Sequence, residues 1–165
     1  MKLTLRRKTI PFVQVAQASD HKRMAELHNQ GFPRGWSAGE IAALDSEAAV
    51  TSFVVHCEGA GQQPACGFVM LRQAADEAEI LSIAVDAGNR GEGYGGALMG
   101  QAIRHCQSER LARLILEVDA ANIPAVALYT RLGFREVGRR AGYYESTAGP
   151  GAERHDALVM ALALL

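Results

Sequence analysis

Seven residues near the middle of the chain, Arg90-Gly91-Glu92-Gly93-Tyr94-Gly95-Gly96, hold four of its 17 glycines and constrain the fold more than any other stretch. Before them, Ile80-Leu81-Ser82-Ile83-Ala84-Val85 is a short apolar run with β-branched residues, the pattern of a buried strand. After them, Ala97, Leu98, Ala102, Ile103 and Cys106 recur at helical spacing, with Gln101, Arg104 and Gln107 falling elsewhere. The glycines therefore join a strand to a helix N-terminus, where backbone N–H groups lack intrahelical partners and the helix dipole is positive. Without Cβ atoms, the backbone there can close around an oxyanion. The expected role is a phosphate cradle.

Two rival readings share these residues. Gly91, Gly93 and Gly96 also spell G-x-G-x-x-G, the dinucleotide fingerprint, in a strand-to-helix setting, and Glu117 follows near the place of a ribose-binding acid. The other rival is a glycine-rich connection that binds nothing. A Walker-type triphosphate site is disfavoured, because no Lys-Ser or Lys-Thr pair follows the glycines.

The order of elements decides against the dinucleotide fold. Thr9 to Ala18 reads as a first strand, confined to an edge by Pro11. Ser19 or Asp20 can cap a helix running to about Asn29, with Met24, Leu27 and His28 on one face. Gly31 to Gly35 breaks it, and Ser37 with Glu40 forms a capping box for a second, short helix through Ile41 and Leu44. Thr51 to Cys57 and Ala65 to Leu71 form a hairpin closed by Gly59 to Pro64, and Ala74-Ala75-Asp76 turns the chain into the strand before the glycines.

Beyond the glycine helix come a strand over Arg113 to Val118 and a helix capped by Asn122, with Pro124 in its first turn and Gly133 at its end. Phe134 to Tyr144 is a strand interrupted by Gly138 and Gly142, Glu145 to Arg154 a loop, and His155 to Leu164 a last strand. A dinucleotide fold carries its fingerprint in the first βαβ unit and needs several more such units. Here a meander precedes the loop and one crossover follows it. The expectation is one α+β domain over residues 1–165, with a mixed, mainly antiparallel sheet of about seven strands flanked by helices.

Composition narrows the partners. The 165 residues are 48% hydrophobic and 21% charged with a formal net charge of −1, so nothing calls for nucleic acid or an anionic membrane. Lys2, Arg6, Arg7 and Lys8 form the one basic block and read as a solvated N-terminus. No run reaches membrane-spanning length and no signal-peptide core is expected, which predicts a cytoplasmic home. Cys57, Cys66 and Cys106 are odd in number and are expected as reduced thiols, although Cys57 and Cys66 could face each other across the hairpin. His21, His28, His56, His105 and His155 lack metal-ligand spacing, and no metal is expected.

Arg90-Gly91-Glu92-Gly93-Tyr94-Gly95 resembles the Arg/Gln-x-x-Gly-x-Gly acetyl-CoA motif of the GNAT acetyltransferase superfamily, and the element order is similar to that fold over essentially the whole chain. Further blocks resemble one branch, the Rim-type bacterial ribosomal-protein-alanine N-acetyltransferases. They are Ile83-Ala84-Val85-Asp86, Leu116-Glu117-Val118, Asn122 to Tyr129 running into Leu132-Gly133-Phe134, Arg139 to Tyr144, and Asp156 to Met160. The chain departs from that pattern at Gly91, where a basic residue is common, and at Asp119, where arginine is common. The segment Phe32-Pro33-Arg34-Gly35-Trp36 is also one residue longer.

The resemblance implies acetyl-CoA as donor, with Arg90, Gly91, Glu92, Gly93, Tyr94, Gly95 and Gly96 at its pyrophosphate and Asn122 at its amide arm. Where two parallel strands splay, the free edge of Ile83, Ala84 and Val85 would hold the pantetheine arm like an added strand, with the Val85 N–H as oxyanion donor. The implied acceptor is the N-terminal alanine of a small-subunit ribosomal protein. The alternatives are a small-molecule amine or lysine side chain and, in another class, an inactive acyl-CoA-binding module.

Acetyl transfer from a thioester to an amine needs a base, because a protonated α-amino group, with a pKa of about 8, has no lone pair. It also needs donors for the oxyanion and a proton donor for the departing thiolate. The match to the branch makes Glu117 the candidate base, directly or through a water, in a strand where desolvation would strengthen it. Read from the residues alone, the sheet's solvent face is the favoured place for Glu117. Tyr129 is the candidate acid by the same match, against a plain core tyrosine. Trp36 and Tyr143 are candidate acceptor contacts. Tyr143 and Tyr144, being adjacent in a strand, are expected to point to opposite faces. No cysteine lies in these motifs, so direct transfer without a covalent enzyme intermediate is expected.

Overall fold

The computed structural model describes residues 11–57, 63–145, 151 and 153–165. Its elements are β1 (Val13–Val15), α1 (His21–Gly31), α2 (Ala38–Asp45), β2 (Val50–His56), β3 (Ala65–Ala74), β4 (Glu77–Val85), α3 (Tyr94–Ser108), β5 (Arg113–Asp119), α4 (Ile123–Arg131), β6 (Arg135–Tyr144) and β7 (His155–Ala163). The strands form one seven-stranded sheet in the order β1-β2-β3-β4-β5-β7-β6. Only β4 and β5 are parallel; every other neighbouring pair is antiparallel.

The first strand is shorter than the sequence suggests, and Thr9 and Ile10 lie outside the described residues, as do the basic block, most of the β2–β3 turn and residues 146–150. Ser37 and Glu40 make the expected reciprocal capping box on α2, at 2.8 and 3.1 Å. The cap expected for α1 is different. A 3-10 turn, Ala18–Asp20, leads into the helix, and the Asp20 carboxylate accepts from the Gln17 N–H at 2.8 Å instead of capping α1.

Alternation along β2 and β3 feeds two cores. Phe53, Val55, Val69 and Leu71 face one side of the sheet, where α3 seats Tyr94, Leu98, Ala102 and Cys106 four residues apart along one face. Val54, Phe68 and Met70 face the other side, under Met24 and Leu27 of α1 and Ile41 of α2. Both faces of these strands are therefore covered, which is why they read as near-continuous apolar runs. No helix among the described residues is long and apolar enough to cross a membrane.

The seam that matters lies between β4 and β5. The two strands pair only at Glu77↔Arg113, Ala78↔Leu114 and Glu79↔Ile115. Just past that point the β3–β4 register shifts, with Met70 opposite Ser82 but Leu71 opposite Ile80, so Leu81 is an extra residue. Such a bulge bends its strand. From there β4 runs on to Val85 with β3 alone, and β5 runs on to Asp119 with β7 alone.

Candidate functional site

The opened seam leaves one edge of β4 without a partner. Along a strand, N–H and C=O groups alternate between its two edges. The Asp86 N–H bonds the Cys66 carbonyl on β3 at 2.8 Å, so the N–H groups of Val85 and Ile83 point the other way, toward the open seam. Ala84, grouped with them on sequence, turns its backbone toward β3. Its neighbours keep a free edge.

At the mouth of the seam the chain turns through Ala87–Asn89 into Arg90–Gly93 and then α3. Gly93 takes φ +92° at the helix N-cap, a left-handed geometry that costs a Cβ-bearing residue, and no side chain caps the helix. A Cβ on Gly91 or Gly93 would meet nothing within 4 Å, so the space beside the uncapped N–H groups is open. A pyrophosphate fits such a site on charge and on donors. Gly95 and Gly96 serve packing as well. A Cβ on either would lie 3.4–3.7 Å from Leu128 of α4.

Not every residue of the glycine stretch faces outward. The Tyr94 side chain is buried in the core on the α3 side, where burial and then the neighbouring Cys57 and Cys66 thiols raise its pKa. Only its backbone is available to a ligand at the loop. Arg90 is exposed, with its Nε 3.4 Å from the Val85 carbonyl.

The loop is held from a distance. Arg23 of α1 donates to the Ala65 carbonyl at 2.9 Å and to the Asp86 carboxylate at 2.7 Å, and Asp86 accepts from Gly88 N–H. Gln30, also on α1, accepts from Ala87 N–H at 2.9 Å. Sequence reasoning missed both residues. Their only signal is a contact spanning 57 to 63 positions, which no local pattern carries.

On the β5 side of the seam stands Glu117, with its side chain 24% exposed and paired with Arg140 of β6 at 3.1 Å. The desolvated acid expected from sequence is therefore replaced by a partly exposed, ion-paired one. Tyr129 lies on α4, which begins where the Asn122 side chain accepts from Ala125 N–H at 3.3 Å. Asn122 thus caps its helix as expected. The Tyr129 ring is buried beside Phe134, and burial, with a smaller push from the Tyr144 phenol, raises its pKa to about 12.

The two adjacent tyrosines do not follow simple strand alternation. Gly142 takes φ +57°, and the β6–β7 register breaks between Arg140 and Tyr144. This bulge brings the Tyr143 and Tyr144 rings edge to face, 5.2 Å apart, instead of onto opposite faces. Tyr143 is 51% exposed, with the Arg140 guanidinium 5.4 Å from its ring centre. Tyr144 is half-buried. Burial, then the Glu117 carboxylate, raises its pKa, so it is Tyr144 whose phenol senses both Glu117 and Tyr129.

Trp36 is part of a stack. The His28 ring lies between Phe32 at 4.2 Å and Trp36 at 4.4 Å, and His28 Nδ1 accepts from the Trp36 N–H at 3.1 Å. Burial lowers the His28 pKa against the opposing field of Glu40, which keeps the ring neutral and able to accept. The pair Phe32 and Trp36 therefore clamp the α1–α2 connection. A cavity of about 610 Å³, lined by Gln14, Asp20, Arg23, His56 and Cys57 among others, contains neither Glu117 nor Tyr129.

With this geometry in hand, four likenesses bear on it. The acetyltransferase (GNAT) family profile matches residues 21–134. Over 95 residues, 58% of this chain, the sequence is 41% identical to the ribosomal protein bS18-alanine N-acetyltransferase of Escherichia coli K12. That match spans 62% of the relative's length. The crystal structure of the ribosomal-protein-S18-alanine N-acetyltransferase from Escherichia coli superposes with a TM-score of 0.81 at 28% identity, covering 93% of this chain and 94% of the other. Arabidopsis thaliana NAA60, crystallised with acetyl-CoA, superposes with a TM-score of 0.78 at 19% identity over 93% of this chain and 98% of its own, a likeness of fold.

Proposed function

This chain belongs to the GNAT acetyltransferase family, and on that premise we propose that residues 1–165 form one catalytic domain that moves the acetyl group of acetyl-CoA directly to a primary amine. The N-terminal alanine of a ribosomal protein is the acceptor that its relatives favour. One observation carries the reading: the β4–β5 pairing stops at Glu79 and Ile115, opening a seam with free β4 amides, an uncapped helix N-terminus at its mouth, and Glu117 beyond.

In this reading the donor supplies an activated thioester, and the chain's residues do the rest. The first-turn N–H groups of α3, presented by the left-handed Gly93, hold the pyrophosphate. The Ile83 and Val85 edge pairs with the pantetheine arm as a strand would, and the Val85 N–H stabilises charge developing on the carbonyl oxygen. Glu117 takes the proton that the ammonium must lose before its nitrogen can attack. As the C–N bond forms and the C–S bond breaks, the nitrogen's second proton passes to the departing thiolate, to which the Tyr129 hydroxyl donates a hydrogen bond. A phenol of pKa about 12 is too weak an acid to protonate fully a thiolate whose conjugate acid lies at about 8.5. Its role is therefore a hydrogen bond to developing charge.

The test is a transfer assay with acetyl-CoA against three probes: a short peptide with a free N-terminal alanine, the same peptide with a blocked N-terminus and an internal lysine, and a polyamine. The expected result is acetylation of the free N-terminus. Turnover confined to the polyamine would overturn the protein-acceptor reading, and CoA binding without turnover on any probe would favour an inactive binding module.

A further inference from the structure

Glu117 and Asp119 are two residues apart on β5, so their side chains share a face of the sheet. Asp119 lies opposite Ala157 of β7, and Ala157 lies opposite Arg140 of β6. Arg140 therefore reaches back across β7 over the Ala157 methyl and beside Val159, the residue opposite Glu117. The nearer carboxylate is already committed: Asp119 accepts from Ala121 N–H at 2.8 Å and pairs with His155 Nδ1 at 3.1 Å. Arg140 goes on to Glu117.

This is an awkward place for a guanidinium. In the reading above Glu117 must accept a proton from the incoming amine, and the Arg140 guanidinium, 3.1 Å from its Oε1, already fills one side of that carboxylate with a cation. The pair is also easy to part. Arg140 is 57% exposed and stands on an edge strand beside the Gly142 bulge, and the Tyr143 ring already offers its guanidinium a second seat at 5.4 Å.

We propose that Arg140 is an internal stand-in for the acceptor: its guanidinium occupies the Glu117 carboxylate in the free enzyme, and an incoming alkylammonium displaces it onto Tyr143. The inference rests on Glu117 being the base, and it deepens that reading by naming how the acceptor is first recognised. The acceptor binds as a cation, in exchange for a cation. Arg140 is then a positioning and specificity residue, since acceptors without a positive charge cannot compete for its place.

The experiment measures binding of an N-terminal-alanine peptide to the CoA-loaded full chain, together with KM and kcat. Arg140→Gln is expected to tighten peptide binding and lower its KM by about two- to fivefold, the worth of an exposed pair, with kcat held within about twofold. Arg139→Gln is the control of equal charge. That side chain pairs with Glu136 and Asp156 and does not touch Glu117, so peptide affinity is expected to stay unchanged. In a Glu117→Gln background, Arg140→Gln should no longer alter peptide binding, because the competed group is gone. Unchanged or weaker binding in Arg140→Gln, an equal shift in Arg139→Gln, or a shift that survives in the Glu117→Gln background would each overturn the proposal. Wild-type turnover in Glu117→Gln would instead remove the base assignment beneath it.

Discussion

The two halves of the candidate site are built in opposite ways. The donor half, from Ile83 to Gly96, is one continuous segment whose working groups are backbone N–H groups, fixed by a bulge, a left-handed glycine and a helix terminus. The acceptor half is a set of side chains, Glu117, Tyr129 and Tyr144, drawn from β5, α4 and β6. Backbone groups cannot be deleted by substitution, so the donor half should lose affinity by degrees when its geometry is disturbed. Side chains can be removed outright, so the acceptor half should lose rate. The contrast separates binding from chemistry, and each variant below tests on which side of it a residue stands.

The largest expected effect is that of Glu117→Gln, which keeps the shape and removes the base. We expect kcat to fall about 10²–10³-fold with KM for acetyl-CoA unchanged in steady-state assays. A wild-type kcat would take the chemistry out of the acceptor half altogether. Tyr129→Phe should follow, with a fall of about 10–10²-fold in kcat and no change in CoA affinity by calorimetry. The sign of its pH dependence is fixed by the raised pKa. The phenol is neutral, and able to donate, below about 12. A kcat profile should therefore show no alkaline decline from Tyr129 through pH ~10, where an ordinary tyrosine would be half ionised. A Tyr129-dependent decline centred there would place the ring in water.

Smaller effects belong to the donor half. Gly93→Ala introduces a Cβ at φ +92°, a cost of about 1–2 kcal/mol, and should weaken CoA binding about tenfold while leaving kcat for the bound complex nearly intact. Arg23→Ala should weaken it by about fivefold, the worth of roughly one charged hydrogen bond at a partly exposed site. The readout that distinguishes positioning from mere support is the split. CoA affinity should fall and kcat should hold, and Arg23→Lys should not rescue, because a point charge cannot bridge Ala65 and Asp86 as the guanidinium fork does. A loss of thermal stability with CoA affinity unchanged would make Arg23 part of the scaffold alone.

The donor half was the legible one, for the same reason that it resists substitution. Strand, glycines and helix follow one another within a few residues, and local rules of periodicity and capping suffice to order them. The capping box at Ser37 and Glu40 and the Asn122 cap were readable on the same footing. Long-range pairing was not. Nothing local to Arg140 says that Asp119 will be satisfied by His155 and leave Glu117 to it. Alternation misplaces Tyr143 and Tyr144 because a two-residue period holds only for a regular strand, and the ladder breaks between Arg140 and Tyr144, at the left-handed Gly142. Tyr94 was counted with the loop by its neighbours in sequence, while the helical repeat with Leu98, Ala102 and Cys106 turns it into the core.

By itself the sequence determined that a glycine-rich turn links a buried strand to a helix, that the element order is α+β, and that the GNAT motif residues stand in that order. These are properties of neighbours along the chain, set by φ preferences, apolar period and unsatisfied backbone groups. Only the tertiary structure decided where β4 parts from β5, which amides are left facing the seam, and which cation sits on Glu117. Those depend on register across the sheet and on competition among side chains far apart in sequence, and a one-residue bulge is enough to change either.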